Sequence, residues 1–102
     1  MMRMLMIIRL PTDTFNAAVL NGSAGPKTAA ILDEVKPETV YFSETGGQRT
    51  VFMVVDLKNP SGIPALAEPW YLTFSASVEF HVVMNREELQ VGGLDELGGK
   101  WA

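Results

Sequence analysis

Residues 77–84, Ser-Val-Glu-Phe-His-Val-Val-Met, constrain the fold more than any other stretch of this chain. The alternation predicts a strand with Val78, Phe80, Val82 and Met84 on one face and Ser77, Glu79, His81 and Val83 on the other. Side chains of successive strand residues point to opposite sides, so one face is apolar and the other sets a carboxylate beside the only histidine. Such a strand needs a core on its apolar side. Its second face is a polar cavity or a solvated surface, and no catalytic motif decides between them.

A second strand is predicted over residues 2–10. It sorts Met2, Met4, Met6 and Ile8 from Arg3, Leu5, Ile7 and Arg9. The run from Met4 to Ile8 is too short for a signal-peptide core and lacks a small-residue cleavage site after it. Nothing approaches a membrane-spanning length. Leu10-Pro11 ends the strand. Thr12, Asp13 or Thr14 offers an oxygen to cap a helix. The spacing of Phe15, Ala18 and Val19, then of Ala29, Leu32 and Val35, predicts a two-part helical region between 13 and 36. The parts are separated at Asn21–Gly25, with Pro26 suited to a first helical position.

Residues 39–44 and 49–57 alternate as two strands around Thr45-Gly46-Gly47-Gln48, a hairpin turn whose glycines supply positive φ. The strand 49–57 is so apolar that it belongs inside the sheet. A short helix is expected over 63–68, with Pro69-Trp70-Tyr71 leading into the strand at 77. A further short helix follows an Asn85 cap, and Leu94–Leu97 adds a turn after Gly92-Gly93.

The order β-α-β-β-α-β is the split-βαβ, ferredoxin-like pattern on an α+β protomer. It implies a four-stranded antiparallel sheet in the order 4-1-3-2 with helices on one face. At 102 residues the chain makes one domain, 1–102. Leu, Ile, Val and Phe total 29, enough for a packed core. The sheet's bare face carries too many apolar groups for water, and such patches mark interfaces. A face-to-face homodimer is expected.

Charge and composition narrow the partners. Eight basic against twelve acidic residues leave −4, which repels phosphate backbones, so no nucleic-acid partner is expected. There is no cysteine, consistent with a reducing cytoplasm and excluding thiolate metal sites. One histidine makes a zinc site unexpected, and no cofactor is expected. The Gly-Gly pairs at 46, 92 and 98 fit no nucleotide loop.

Lys36-Pro37-Glu38, Tyr41-Phe42, Gly47-Gln48-Arg49-Thr50, Ile63-Pro64, Glu68-Pro69-Trp70 and Val83-Met84 together resemble a family of small uncharacterised bacterial proteins. That family lies in the dimeric α+β barrel superfamily, and the similarity covers roughly residues 2–90. The resemblance implies a homodimer whose two sheets form a barrel, and a ligand cavity inside the barrel or between sheet and helices. The superfamily includes cofactor-free monooxygenases, muconolactone isomerases, haem-degrading enzymes, chlorite dismutases and effector-binding domains. Its haem-binding members generally use a helical histidine, whereas His81 falls in a strand. Its monooxygenases often use an Asn–Trp–His set; Asn16, Trp70 and His81 are the nearest types, and their spacing matches no such motif. No catalytic residue carries over, because fold alone does not imply function.

The candidate ligand-binding residues are Arg9, Glu79, His81, Trp70, Tyr41 and Ser43. Antiparallel pairing of the first and fourth strands brings Arg9 close to Glu79. Arg9 then either holds a carboxylate ligand or forms a structural ion pair. Glu79 can orient His81 for acid–base work, or both can serve a polar interface. Trp70 either walls a pocket or plugs the core end. Tyr41 and Ser43 share the polar face from an edge strand. The six methionines read as adaptable core or dimer packing. Three functions are consistent with these residues: a small-molecule-binding or accessory homodimer, a cofactor-independent isomerase or monooxygenase on an aromatic or carboxylate compound, and a purely structural dimerisation module.

Overall fold

The computed structural model describes residues 2–102 as an α+β fold with one four-stranded antiparallel sheet. Strand β1 (Met2–Arg9) leads through α1 (Thr12–Leu20) and α2 (Ala24–Val35) to the hairpin of β2 (Thr39–Thr45) and β3 (Gln48–Leu57). A 3-10 turn at Pro60–Gly62 opens α3 (Ile63–Phe74). Then follow β4 (Ser77–Val82), α4 (Arg86–Val91) and α5 (Leu94–Lys100). The strands lie in the order β2-β3-β1-β4, which is 4-1-3-2 read from the other edge. The apolar strand β3 is interior.

Period-two burial decides which face the helices cover. Met4, Met6 and Ile8 of β1 and Val51, Met53, Val55 and Leu57 of β3 are all buried. Against them pack Ile31 of α2 and Trp70 and Phe74 of α3, and Ala67 of α3 is buried as well. Ala67, Trp70 and Phe74 recur at i, i+3 and i+7, one stripe of a helix. Phe15 of α1 meets Phe74 at 5.1 Å between ring centroids. The hairpin is held by a two-residue turn in which Gly46 (φ 59°) and Gly47 (φ 82°) both adopt the left-handed region. That geometry matches the strand twist and sets the Thr45–Gln48 register.

Several boundaries differ from the sequence expectations. Helix α3 runs twelve residues, through Pro69 and beyond Glu68. Pro69 lacks the N–H that would reach the Ala65 carbonyl, at a cost of about 3 kcal/mol. Burying the Trp70 and Phe74 rings, at about 150–250 Å² each and about 25 cal/mol per Å², outweighs that cost. Packing therefore continues a helix that local chemistry would end. Helix α1 begins at Thr12 after Pro11, and no side chain caps it. Helix α2 begins at Ala24, ahead of Pro26. Lys36 (φ 51°) and Ser75 (φ 55°) close α2 and α3 in the left-handed cap conformation usually given to glycine.

The apolar face of β4 is covered only in part. Val78 and Phe80 pack against the core and Val82 is exposed; the strand ends there, so Met84, predicted to lie in it, is exposed beyond its end.

Candidate functional site

On the face away from the helices, the register aligns side chains in rows. One row is Ser43, Thr50, Arg9 and Ser77; the next is Tyr41, Phe52, Ile7 and Glu79; the third is Thr39, Val54, Leu5 and His81. Leu5, Ile7, Phe52 and Val54 occupy the two middle strands and stay half-buried, because neighbours in a sheet shield each other's flanks. None of the four belongs to the core cluster.

A polar chain runs along one margin of this apolar field. Glu79 Oε1 accepts an ion pair from Arg9 Nη1 at 3.0 Å, and Glu79 Oε2 lies 3.3 Å from His81 Nε2. Arg9 Nε donates to Thr45 Oγ1 at 3.2 Å. The Thr45 and Thr50 hydroxyls are 2.7 Å apart, and Thr50 Oγ1 donates to the Gln48 carbonyl at 2.9 Å. The guanidinium is thus gripped from two strands beyond its own. Glu79 is held below the usual carboxylate range, first by its hydrogen bond with His81 and then by Arg9, against a smaller opposing effect of desolvation. In the single chain the cluster stays accessible: the side chains of Arg9, Glu79 and His81 are 31%, 46% and 53% exposed.

Arg9, Glu79 and His81 are therefore brought together, as their strand positions predict. The other three candidates are not. Tyr41 shares the row of Glu79 but stands three strand spacings away, about 14 Å. Ser43 lies two spacings from Arg9 and borders a cleft of about 250 Å³ with Leu10, Phe15, Phe42, Arg49, Thr50 and Val51. Of the two readings of Trp70, the structure excludes the pocket rim and leaves the core plug. It is fully buried on α3, on the opposite side of the sheet, and so forms no rim to this cluster. Its Nε1 is buried without a partner and its ring centroid lies 6.4 Å from that of Phe74, so it is a core plug.

Sequence reasoning missed Thr45, Thr50 and Asp56. The threonines complete the grip on Arg9. Asp56, opposite Arg3 in the register, keeps a buried Oδ1 without a partner, while Arg3 turns to Glu38 at 3.0 Å. The available signal was the alternation of β3, which puts Thr50 and Asp56 on the Arg9 face once the hairpin register is known.

The arrangement can hold a polar compound by a cation and an imidazole beside apolar surface. Among the described residues no group of three or more His, Cys, Asp or Glu is placed to hold a metal ion. No described helix is long and apolar enough to cross a membrane. No family model and no curated protein matches the chain.

Proposed function

We propose that this chain is a small-molecule-binding homodimer of the ferredoxin-like, dimeric α+β barrel type. Two bare sheet faces meet in it and enclose a ligand beside Arg9, Glu79 and His81. One observation carries the reading: a linked cation, carboxylate and imidazole at 3.0 and 3.3 Å border an apolar field that no helix of the chain covers. Small-molecule sites combine apolar walls with a few convergent polar groups, and a second copy supplies the missing wall. The ligand class is a small carboxylate or aromatic compound, oriented by Arg9 through its guanidinium.

The 3.3 Å contact of Glu79 with His81 favours a second reading, a cofactor-independent enzyme in which the carboxylate orients the imidazole as a general base.

Two measurements test the binding reading. Native mass spectrometry of the purified protein is expected to show a dimer carrying a small organic compound. His81→Ala is expected to weaken binding of that compound and leave dimerisation intact. A purely structural module behaves differently: the same change lowers stability by about 1–3 kcal/mol through a stranded partner, and no ligand is found. A variant that melts, dimerises and binds like the parent removes the site altogether.

A further inference from the structure

Residues 85–102 form an arm that the rest of the chain does not bury. Asn85 caps α4 through reciprocal hydrogen bonds with Glu88, and Gly93 (φ 73°) turns the chain into α5. Neither helix contains a buried residue. Even so, Met84, Leu89, Val91, Leu94, Leu97 and Trp101 are all exposed, Trp101 at 77%. The chain measures 59 × 29 × 19 Å with a radius of gyration of 17.0 Å. A compact domain of this length is nearer about 13 Å. Helices of six and seven residues are not stable alone in water and need a surface to pack on. On α5, Leu94, Leu97 and Trp101 fall at i, i+3 and i+7 and make one apolar stripe.

The surface that suits this stripe lies at the wrong end of its own chain. The arm leaves the sheet where the Val83 N–H donates to the Arg3 carbonyl. The cleft of Leu10, Phe15, Phe42 and Val51 opens at the opposite end of β1. Seven strand residues, about 23 Å, separate Arg3 from Leu10.

We propose that α5 of one chain seats Leu97 and Trp101 in this cleft of a second copy, with Asp95 meeting Arg49 at its mouth. The proposal rests on the homodimer reading and adds an exchanged arm to it. Charge favours this occupant. Arg49 lies 5.2 Å from the Phe15 ring centre and donates to Asn16 Oδ1 at 2.7 Å, and no described carboxylate pairs with it. The arm carries Glu87, Glu88, Asp95 and Glu96 against only Arg86 and Lys100. Symmetry favours it too. A two-fold pairing is isologous, so two arms have two clefts to fill and the assembly closes.

The full chain has no cysteine, so Ala102→Cys and Glu44→Cys, at exposed positions next to Trp101 and on the strand face of Phe42, each introduce a single thiol while keeping both rings. Equimolar mixing and a short bismaleimide are expected to give a covalent mixed dimer in excess of the product from either variant alone. In the parent, Trp101 emission, isolated by subtracting the Trp101→Phe variant, is expected to shift to the blue and lose acrylamide quenching as the dimer forms. Sedimentation separates the two readings. A dimer without the mixed product, or with Ala102→Cys linking only to itself, overturns the exchanged arm and leaves the homodimer standing. A monomer at every concentration overturns both.

Discussion

The two faces of one sheet show how the same alternation serves two ends. On the helix side, Met6, Ile8, Met53 and Val51 are at most 1% exposed and touch the Trp70–Phe74 stripe. On the other side, Leu5, Ile7, Phe52 and Val54 are equally apolar but join no core, and a charged chain from His81 to Thr45 borders them. The apolar strand residues taken one by one do not separate the faces, although Arg3, Arg9, Asp56, Glu79 and His81 all fall on the open side. The difference comes from which side α1, α2 and α3 cover. It teaches that burial under the helices, not apolarity alone, decides which strand residues belong to the core.

The largest expected effect tests the covered face. Trp70→Ala should cost about 3–5 kcal/mol in denaturant unfolding, because it removes a fully buried ring and leaves a cavity. A loss below about 1 kcal/mol, the range of surface changes, would show that the core does not depend on α3.

Next comes the open face. Ile7→Asp puts a charge into the middle of the apolar field. It should abolish dimer formation in sedimentation while leaving the far-ultraviolet circular dichroism of the monomer unchanged. A dimer of parental affinity in this variant would move the interface to another surface.

A smaller effect sharpens the polar margin. The Glu79 carboxyl has a lowered pKa in the fold, so its favourable contribution is present above the unfolded carboxylate value, near 4.3. It is lost as pH falls through the lower folded value. His81→Ala and Arg9→Met should each raise the Glu79 pKa, read by carboxyl NMR, with His81 giving the larger shift. A larger shift from Arg9→Met would make the guanidinium the stronger partner.

The smallest change returns to the covered side. Ser75→Gly relieves a left-handed residue at the end of α3 and should stabilise by about 0.5–1 kcal/mol, seen as a rise in Tm. No rise, or a fall, would mean that Ser75 contributes contacts beyond its backbone geometry.

Strand periodicity by itself determined much of this protein. The alternation in residues 2–10, 39–44, 49–57 and 77–84, with Gly46-Gly47 at the hairpin, was enough to find the four strands to within about two residues at each end. Combined with antiparallel pairing of β1 and β4, it also put Arg9 beside Glu79 and His81. These features are local or follow from one pairing, so a period of two carries them. Other features were decided only by tertiary structure. Trp70 after a proline reads as either a pocket wall or a core plug, and it is the plug because burial of two rings outweighs the break at Pro69. Thr45 reaches Arg9, with Thr50 bonded behind it, only through the hairpin register. Tyr41 shares a face with Glu79, but intervening strands keep the two apart. The arm beyond Asn85 has short helices that any local reading finds, whereas its lack of cover depends on where the chain leaves the sheet. Residue types and spacing specify which groups share a face; only the packed sheet specifies which of them meet.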